Sequence, residues 1–172
     1  MVRDQITLLP QRREMLTSMS SPSALARAES VVVRESHLSL LRDLLNESLG
    51  FYDRVGAEEP WRGYLCVRKE DRAVVGCCGF KGNPKSGHVE ISYLTFPDYE
   101  GGGYATAAAR QLVRIASSAA EVESVIANTK PENNASTRVL ERVGFERDGE
   151  SQDDEIGRTW LWRIDLTGGS AS

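Results

Sequence analysis

The sequence predicts a mixed α/β protein: a central, mostly antiparallel sheet of six to seven strands with helices flanking it. Three observations carry the prediction. Strand-like apolar runs at 64–68, 73–80 and 89–96 follow one another through short polar links, the spacing of antiparallel neighbours. An alanine-rich stretch of helical period follows the third run directly. Two further strand patterns, at 146–150 and 159–166, form a pair around an acidic loop. The order reads β, two or three helices, βββ, α, β, α, ββ, which is not the regular alternation of a doubly wound sheet.

Taken in order, residues 6–9 form a short apolar strand closed by Pro10. Residues 11–20 hold helix formers, with Met15, Leu16 and Met19 on one face, and Pro22 suits the first turn of another short helix through Ala28. Val31 to Val33 is β-branched and reads as a short strand. Ser36 is an N-cap candidate for a helix to Leu49 that buries Leu38, Leu41, Leu45 and Leu49, with Gly50 as its stop. Residues 51–62 read as an irregular loop. Its Phe51, Tyr52 and Trp61 either line a pocket or pack on the core. The 73–80 strand is apolar on both faces, as a mid-sheet strand is. In the next strand Val89, Ile91 and Tyr93 alternate with Glu90, Ser92 and Leu94, and Pro97 ends it. Ala105, Ala108, Ala109, Leu112, Ala116 and Ala119 form the buried stripe of the following helix. A strand at 122–128 and a helix from about Asn133 to Val143, capped by Gly144, precede the final pair. The domain expected is a single one over residues 1–167, with a small polar tail at 168–172.

Composition narrows the function classes. The 172 residues are 40% hydrophobic and 27% charged, the profile of a globular domain with a real core. A net charge of −4 argues against nucleic acid as the main partner. No apolar stretch approaches the roughly 20 residues of a membrane helix, and no secretory leader is expected near Arg3 and Asp4. A cytoplasmic location and no membrane partner are expected. The three cysteines, Cys66, Cys77 and Cys78, read as reduced core thiols, and with two histidines no metal site is expected.

The chemistry concentrates in the turn between the 89–96 strand and the alanine helix. Gly101-Gly102-Gly103 lets the backbone bend sharply, and its N–H groups lie at the positive end of the helix. Such a turn is a phosphate site. A dinucleotide fingerprint fails because Thr106 stands at the third glycine position, and no G-K-[ST] of a Walker A loop is present. A third reading, an acyl-CoA loop of the form Q/R-x-x-G-x-G/A, remains.

The segment HVEISYLTFPDYEGGGYATAAA (88–109) resembles motif A of the GNAT superfamily of acetyl-CoA-dependent N-acyltransferases. ANTKPENNASTRVLERVGF (127–145) is similar to its motif B. The branch resembled is that of ribosomal-protein (serine/alanine) N-terminal acetyltransferases, through the run from Pro131 to Ser136 and that from Val139 to Phe145. The resemblance implies that acetyl-CoA is the co-substrate, with no metal. It implies that backbone groups of Gly101, Gly102, Gly103, Tyr104, Ala105 and Thr106 hold the pyrophosphate, and that Leu94 and Thr95 also contact the cofactor. A backbone N–H near Leu94 would meet the oxyanion. Asn133 would touch the pantetheine arm and Ser136 would lie near the thioester sulfur, Asn133 or Asn134 also being an N-cap candidate.

The same resemblance makes Glu90, in the V-E-I-x-Y pattern, the candidate base acting through a water; an ordinary charged residue at a strand end is the other reading. Catalysis would rest on Glu90 and Ser136. Two positions depart from the pattern. Glu100 replaces the usual Gln or Arg at the head of the loop, and Leu140 occupies the place where many relatives carry a tyrosine acid. The stretch 146–155 holds six acidic residues and one basic, either a rim for a cationic amine or a solvated hairpin tip. The expected reaction is direct acetyl transfer to a small-molecule amine or protein N-terminus in a ternary complex. A non-catalytic acyl-CoA-binding or regulatory domain is the alternative. A monomer or homodimer is expected.

Overall fold

The computed structural model describes residues 4–166. In chain order the elements are β1 (Ile6–Pro10), α1 (Met15–Ser18), α2 (Pro22–Glu29), α3 (Glu35–Val55), β2 (Gly63–Arg68), β3 (Val74–Phe80) and β4 (His88–Thr95). A 3-10 turn (Pro97–Tyr99) leads to α4 (Tyr104–Ser117), then β5 (Ser124–Thr129), α5 (Ala135–Val143), β6 (Glu146–Asp153) and β7 (Gly157–Asp165). The seven strands make one sheet in the order β1-β2-β3-β4-β5-β7-β6. Every neighbouring pair is antiparallel except β4 and β5, which α4 connects as a crossover. The predicted architecture is therefore the observed one.

β3 is buried at every position, as its two apolar faces require. α4 turns Thr106, Ala108, Ala109, Leu112 and Ala116 inward, and its small alanines let the helix lie close over β4 and β3. Leu112, Leu140, Phe80 and Phe96 are fully buried. A side chain of this size contributes about 2 kcal/mol by leaving water.

Several elements differ from expectation in extent. The 11–20 helix shrinks to the single turn of α1, because Gln11 is tied to Gly63 by its backbone N–H (2.9 Å) and continues the path of β1. Val31 to Val33 forms no strand; only Val32 bridges, to Ala73. α3 begins at Glu35 with Arg34 at its cap, so Ser36 lies inside it. Gly50 does not stop it. The buried stripe runs on from Leu49 to Tyr52, and the left-handed Gly56 (φ 67°) ends the helix. Phe51 and Tyr52 are thus helical, not in a loop, and Tyr52 donates to the Phe80 carbonyl (2.7 Å) while Trp61 packs edge-on to Phe80. β5 starts at Ser124, and α5 at Ala135 with Asn134 as cap, which leaves Asn133 outside the helix. The 168–172 tail lies outside the described residues.

The feature that positions a site is the β4–β5 contact. The two strands pair only at His88–Ser124, Val89–Val125 and Glu90–Ile126. Beyond Glu90, β4 stays with β3 as far as Thr95, and β5 stays with β7 as far as Thr129. The sheet opens there into a gap.

Candidate active site at the opened strand pair

At the head of the gap lies the glycine turn. Gly101 and Gly103 both adopt φ 83°, a left-handed conformation that any side chain makes costly. A Cβ at either would meet no atom within 4 Å, so their outer face is open. α4 starts at Tyr104 with Gly103 as its cap and no side-chain cap bond. Its first N–H groups therefore have no partner in the helix. Aromatic and charged groups brace the turn. Arg34 and Arg68 lie over the Tyr99 ring, each 5.2 Å from its centroid. Arg68 also donates to the Tyr104 hydroxyl (3.0 Å) and clasps Asp71 (2.7 Å), an ion pair that holds the Asp71 carboxyl down at about 2. Asp98 accepts from Arg34 and sits 3.1 Å from His37 of α3. Glu100 is exposed, turned to solvent.

Below the turn, a slot too narrow to admit a water molecule runs between α4 and the β3–β4 strands, bordered by Gly76, Tyr93, Leu94, Thr95 and Ala105. The β3–β4 register carries no shift. The Lys81 N–H donates to the Glu90 carbonyl and the Phe96 N–H to the Val75 carbonyl, both 2.8 Å. By alternation the backbone of Ser92 and Leu94 also faces β3, and that of Tyr93 and Thr95 faces the gap. Leu94 is therefore half-exposed by its side chain while its peptide belongs to the ladder.

Across the gap stands the start of α5. Asn134 and Thr137 form a capping box, the Asn134 Oδ1 accepting from the Thr137 N–H (3.0 Å) and the Thr137 Oγ1 accepting from the Asn134 N–H (2.9 Å). This fixes the first turn, and with it Ser136. The Tyr93 hydroxyl donates to the Ser136 carbonyl (2.9 Å) and lies 3.1 Å from Ser136 Oγ. Burial pushes the Tyr93 phenol up, more than the Ser136 hydrogen bond lowers it. Leu140 is fully buried and faces the core, not the gap. Asn133 does not share a helical face with Ser136; it is exposed at the rim of a separate pocket of about 420 Å³ whose wall is Phe145, Trp160 and Trp162.

Glu90 lies on the other face of β4 from Tyr93. Its carboxylate is 3.0 Å from the Lys81 ammonium, which also approaches Asp153 (3.7 Å). Burial pulls the Lys81 pKa down, but Glu90 and Asp153 outweigh it and the ammonium is held charged. The hairpin thus reaches Glu90 through Lys81. Three of its carboxylates already have cations: Asp148 with Arg163, Glu150 with Arg158, and Asp153 with Lys81. The acidic rim is in part self-neutralised.

The structure brings together Gly101 to Thr106 at one end, and Thr95, Leu94 and Ser136 along the gap. It sets Glu90 on the opposite face. Tyr93 and Lys81 were not singled out in the sequence. Tyr93 sits in an alternation that reads as core, and its partner lies 43 residues away. Lys81 reads as a turn residue. Cys66, Cys77 and Cys78 are free and buried. Among the described residues no cluster of His, Cys, Asp and Glu could hold a metal ion, and no helix is long and apolar enough to cross a membrane.

The chain is similar to known proteins in sequence and in fold. The chain is 32% identical to the uncharacterized N-acetyltransferase YjdG of Bacillus subtilis over 83 residues, 48% of this chain and 49% of that protein. The match therefore spans about half the length of that relative. In fold it is similar to the ribosomal-protein-S5-alanine acetyltransferase of Vibrio fischeri, with a TM-score of 0.65, 14% identity, and 98% and 97% of the two chains covered. It is also similar to RimL, a ribosomal L7/L12 alpha-N-protein acetyltransferase solved in complex with coenzyme A, with a TM-score of 0.67, 14% identity, and 96% and 97% covered. The family model described as Acetyltransferase (GNAT) domain matches residues 14–146, and the chain belongs to that family.

Proposed function

We propose that the protein transfers an acetyl group from acetyl-CoA to a primary amine, a protein N-terminus or a small molecule, by direct transfer in a ternary complex. The observation that carries the reading is the gap beyond Glu90, which runs from a helix start with no side-chain cap bond to Ser136. The residues fit the co-substrate: left-handed glycines with open outer faces and unpartnered N–H groups suit a pyrophosphate. RimL, similar in fold, is described in complex with coenzyme A. Bound there, acetyl-CoA would supply an activated acyl group and a thiolate leaving group.

The chain's own groups then take these roles. N–H groups from Gly101 to Thr106 hold phosphate. The gap-facing N–H groups of Tyr93 and Thr95, rather than that of Leu94 in the ladder, would donate to the oxyanion. Glu90 accepts the proton of the attacking amine through a water, and an incoming ammonium competes with Lys81 for its carboxylate. Ser136 stands where the sulfur leaves. The domain spans residues 1–167, acts in the cytoplasm as a monomer or homodimer, and takes neither nucleic acid nor membrane as partner. The acceptor reading is supported by the names of its fold neighbours, two of which act on ribosomal proteins.

A second reading, a non-catalytic acyl-CoA-binding domain, is favoured by Glu100 at the loop head and by Leu140 being buried core. Thiol release from acetyl-CoA against a panel of amines, peptides and polyamines separates the two. Turnover with an acetylated product by mass supports transfer; saturable CoA binding with no turnover on any acceptor leaves the second reading.

A further inference from the structure

We propose that Tyr93 is a positioning residue for proton delivery: its hydroxyl holds Ser136 Oγ across the gap, and the two hydroxyls together replace the phenolic acid that Leu140 cannot provide. The inference rests on the transfer reading above.

The geometry admits two proton arrangements with the same heavy-atom positions. In one, the Tyr93 O–H donates to the Ser136 carbonyl at 2.9 Å, and the Ser136 hydroxyl donates back to the phenol oxygen at 3.1 Å. In the other, the Tyr93 O–H turns to Ser136 Oγ, and the serine proton is free to point into the gap. Only hydroxyl rotation separates them, so switching moves no backbone. A serine alone would rotate freely and would be a poor donor to a thiolate. Tyr93 grips the Ser136 Oγ on one side and the Asn134–Thr137 box fixes its backbone, which leaves it fewer directions than a free serine has. Burial keeps the phenol protonated through the neutral range.

The step balances as follows. The C–N bond forms and the C–S bond breaks, and the sulfur leaves with the bonding pair. Ser136 Oγ, its direction set by a Tyr93 hydroxyl that stays protonated, passes its proton to that sulfur and takes one back from solvent, which has received the amine's proton by way of Glu90. No oxidant or further reactant is needed.

The test has a binding arm and a kinetic arm, on wild type, Tyr93→Phe, Ser136→Ala and the double variant. Tyr93→Phe keeps the ring and should fold. In the binding arm, the thiol of bound CoA is titrated by its thiolate absorbance. Hydrogen bonds to a thiolate lower its pKa. It should lie lowest in wild type and rise by about one unit, a tenfold change, in each single variant. In the kinetic arm, with any amine that turns over, each single variant should lose about 10- to 100-fold in kcat with acetyl-CoA KM little changed. The double variant should lose no more than the worse single one, because the pair acts as a unit. A thiol pKa equal in all four proteins overturns the proposal, as does a double variant whose loss is the product of the two. If no amine turns over but the thiol pKa follows Tyr93, the transfer reading fails and the Tyr93–Ser136 assignment stands.

Discussion

Gly76→Ala offers a direct test of how the gap is built. Gly76 lies in β3 opposite Thr95, where the β2–β3 ladder shifts register next to Cys66 and Val67. A Cβ placed there would stand 2.1 Å from the Leu94 carbonyl oxygen and 3.0 Å from the Thr95 Cα. Ordinary carbon–oxygen contact is more than 1 Å longer than the first of these. Both obstructing atoms are backbone, so no flexible side chain can yield. Overpacking of this kind costs about 1–3 kcal/mol, and the lack of a yielding partner places it at about 3. For a chain of this size that is a fall in Tm of roughly 6–12 °C. Gly101→Ala is the control: a Cβ there meets nothing, and only its φ of 83° is penalised, at about 1–2 kcal/mol. Urea denaturation of both variants, at fixed m, measures the difference. If Gly76→Ala is no more destabilising than Gly101→Ala, the close approach of β3 to the gap-lining strand is wrong. Because the displaced atoms border the slot under α4, Gly76→Ala should also weaken CoA binding more than its stability loss alone would suggest.

Three further outcomes follow from the same geometry. Asn134→Ala removes one half of the capping box and should cost about 1 kcal/mol in urea denaturation, whereas Asn133→Ala, outside the helix, should cost almost nothing. Asp71 has its folded pKa lowered to about 2 from 3.8, so its pairing with Arg68 stabilises above pH 4 and is lost as pH falls towards 2. The pair is largely solvent-exposed, so the contribution is below about 1 kcal/mol and shrinks with salt; Asp71→Asn should flatten the urea midpoint between pH 4 and 2 by only that much. Burial pushes the Cys77 thiol far up, and the Cys66 hydrogen bond together with burial does so for Cys78. A disulfide-exchange reagent at pH 8 should therefore titrate neither in the native protein, and both on unfolding.

Much of this was legible in the sequence because it is local. The alternation of Val89, Ile91 and Tyr93 against Glu90, Ser92 and Leu94 gives β4 its two faces, and the alanine period gives α4 its buried stripe. The glycine run marks the turn between them. What escaped is what depends on partners far away in the chain. Gly50 carries the signature of a helix stop, but Tyr52 finds the Phe80 carbonyl and the stripe continues past it. Val31 to Val33 has strand composition, yet only Val32 finds a bridging partner. At the site, Glu90 and Ser136 were readable one by one. That Lys81 occupies the first and Tyr93 the second follows only from sheet order and from where two strands part. Leu140 shows the same limit: its departure from the pattern is visible in the sequence, its burial is not.

The three residue pairs that join β4 to β5 also divide the molecule energetically. On one side lies a four-stranded unit, β1 to β4, and on the other a three-stranded unit, β5 to β7, each with its own continuous ladder. Across that seam the sheet has its shortest ladder, so local opening should begin there while the two units stay folded. Amides at Val89 and Ile126, which face each other's strand across the seam, would then exchange with solvent faster than those in mid-β3 or mid-β7. A molecule that spans the seam would act as a clasp, and its binding would be read first as slowed exchange at these few amides, before any change at the glycine turn.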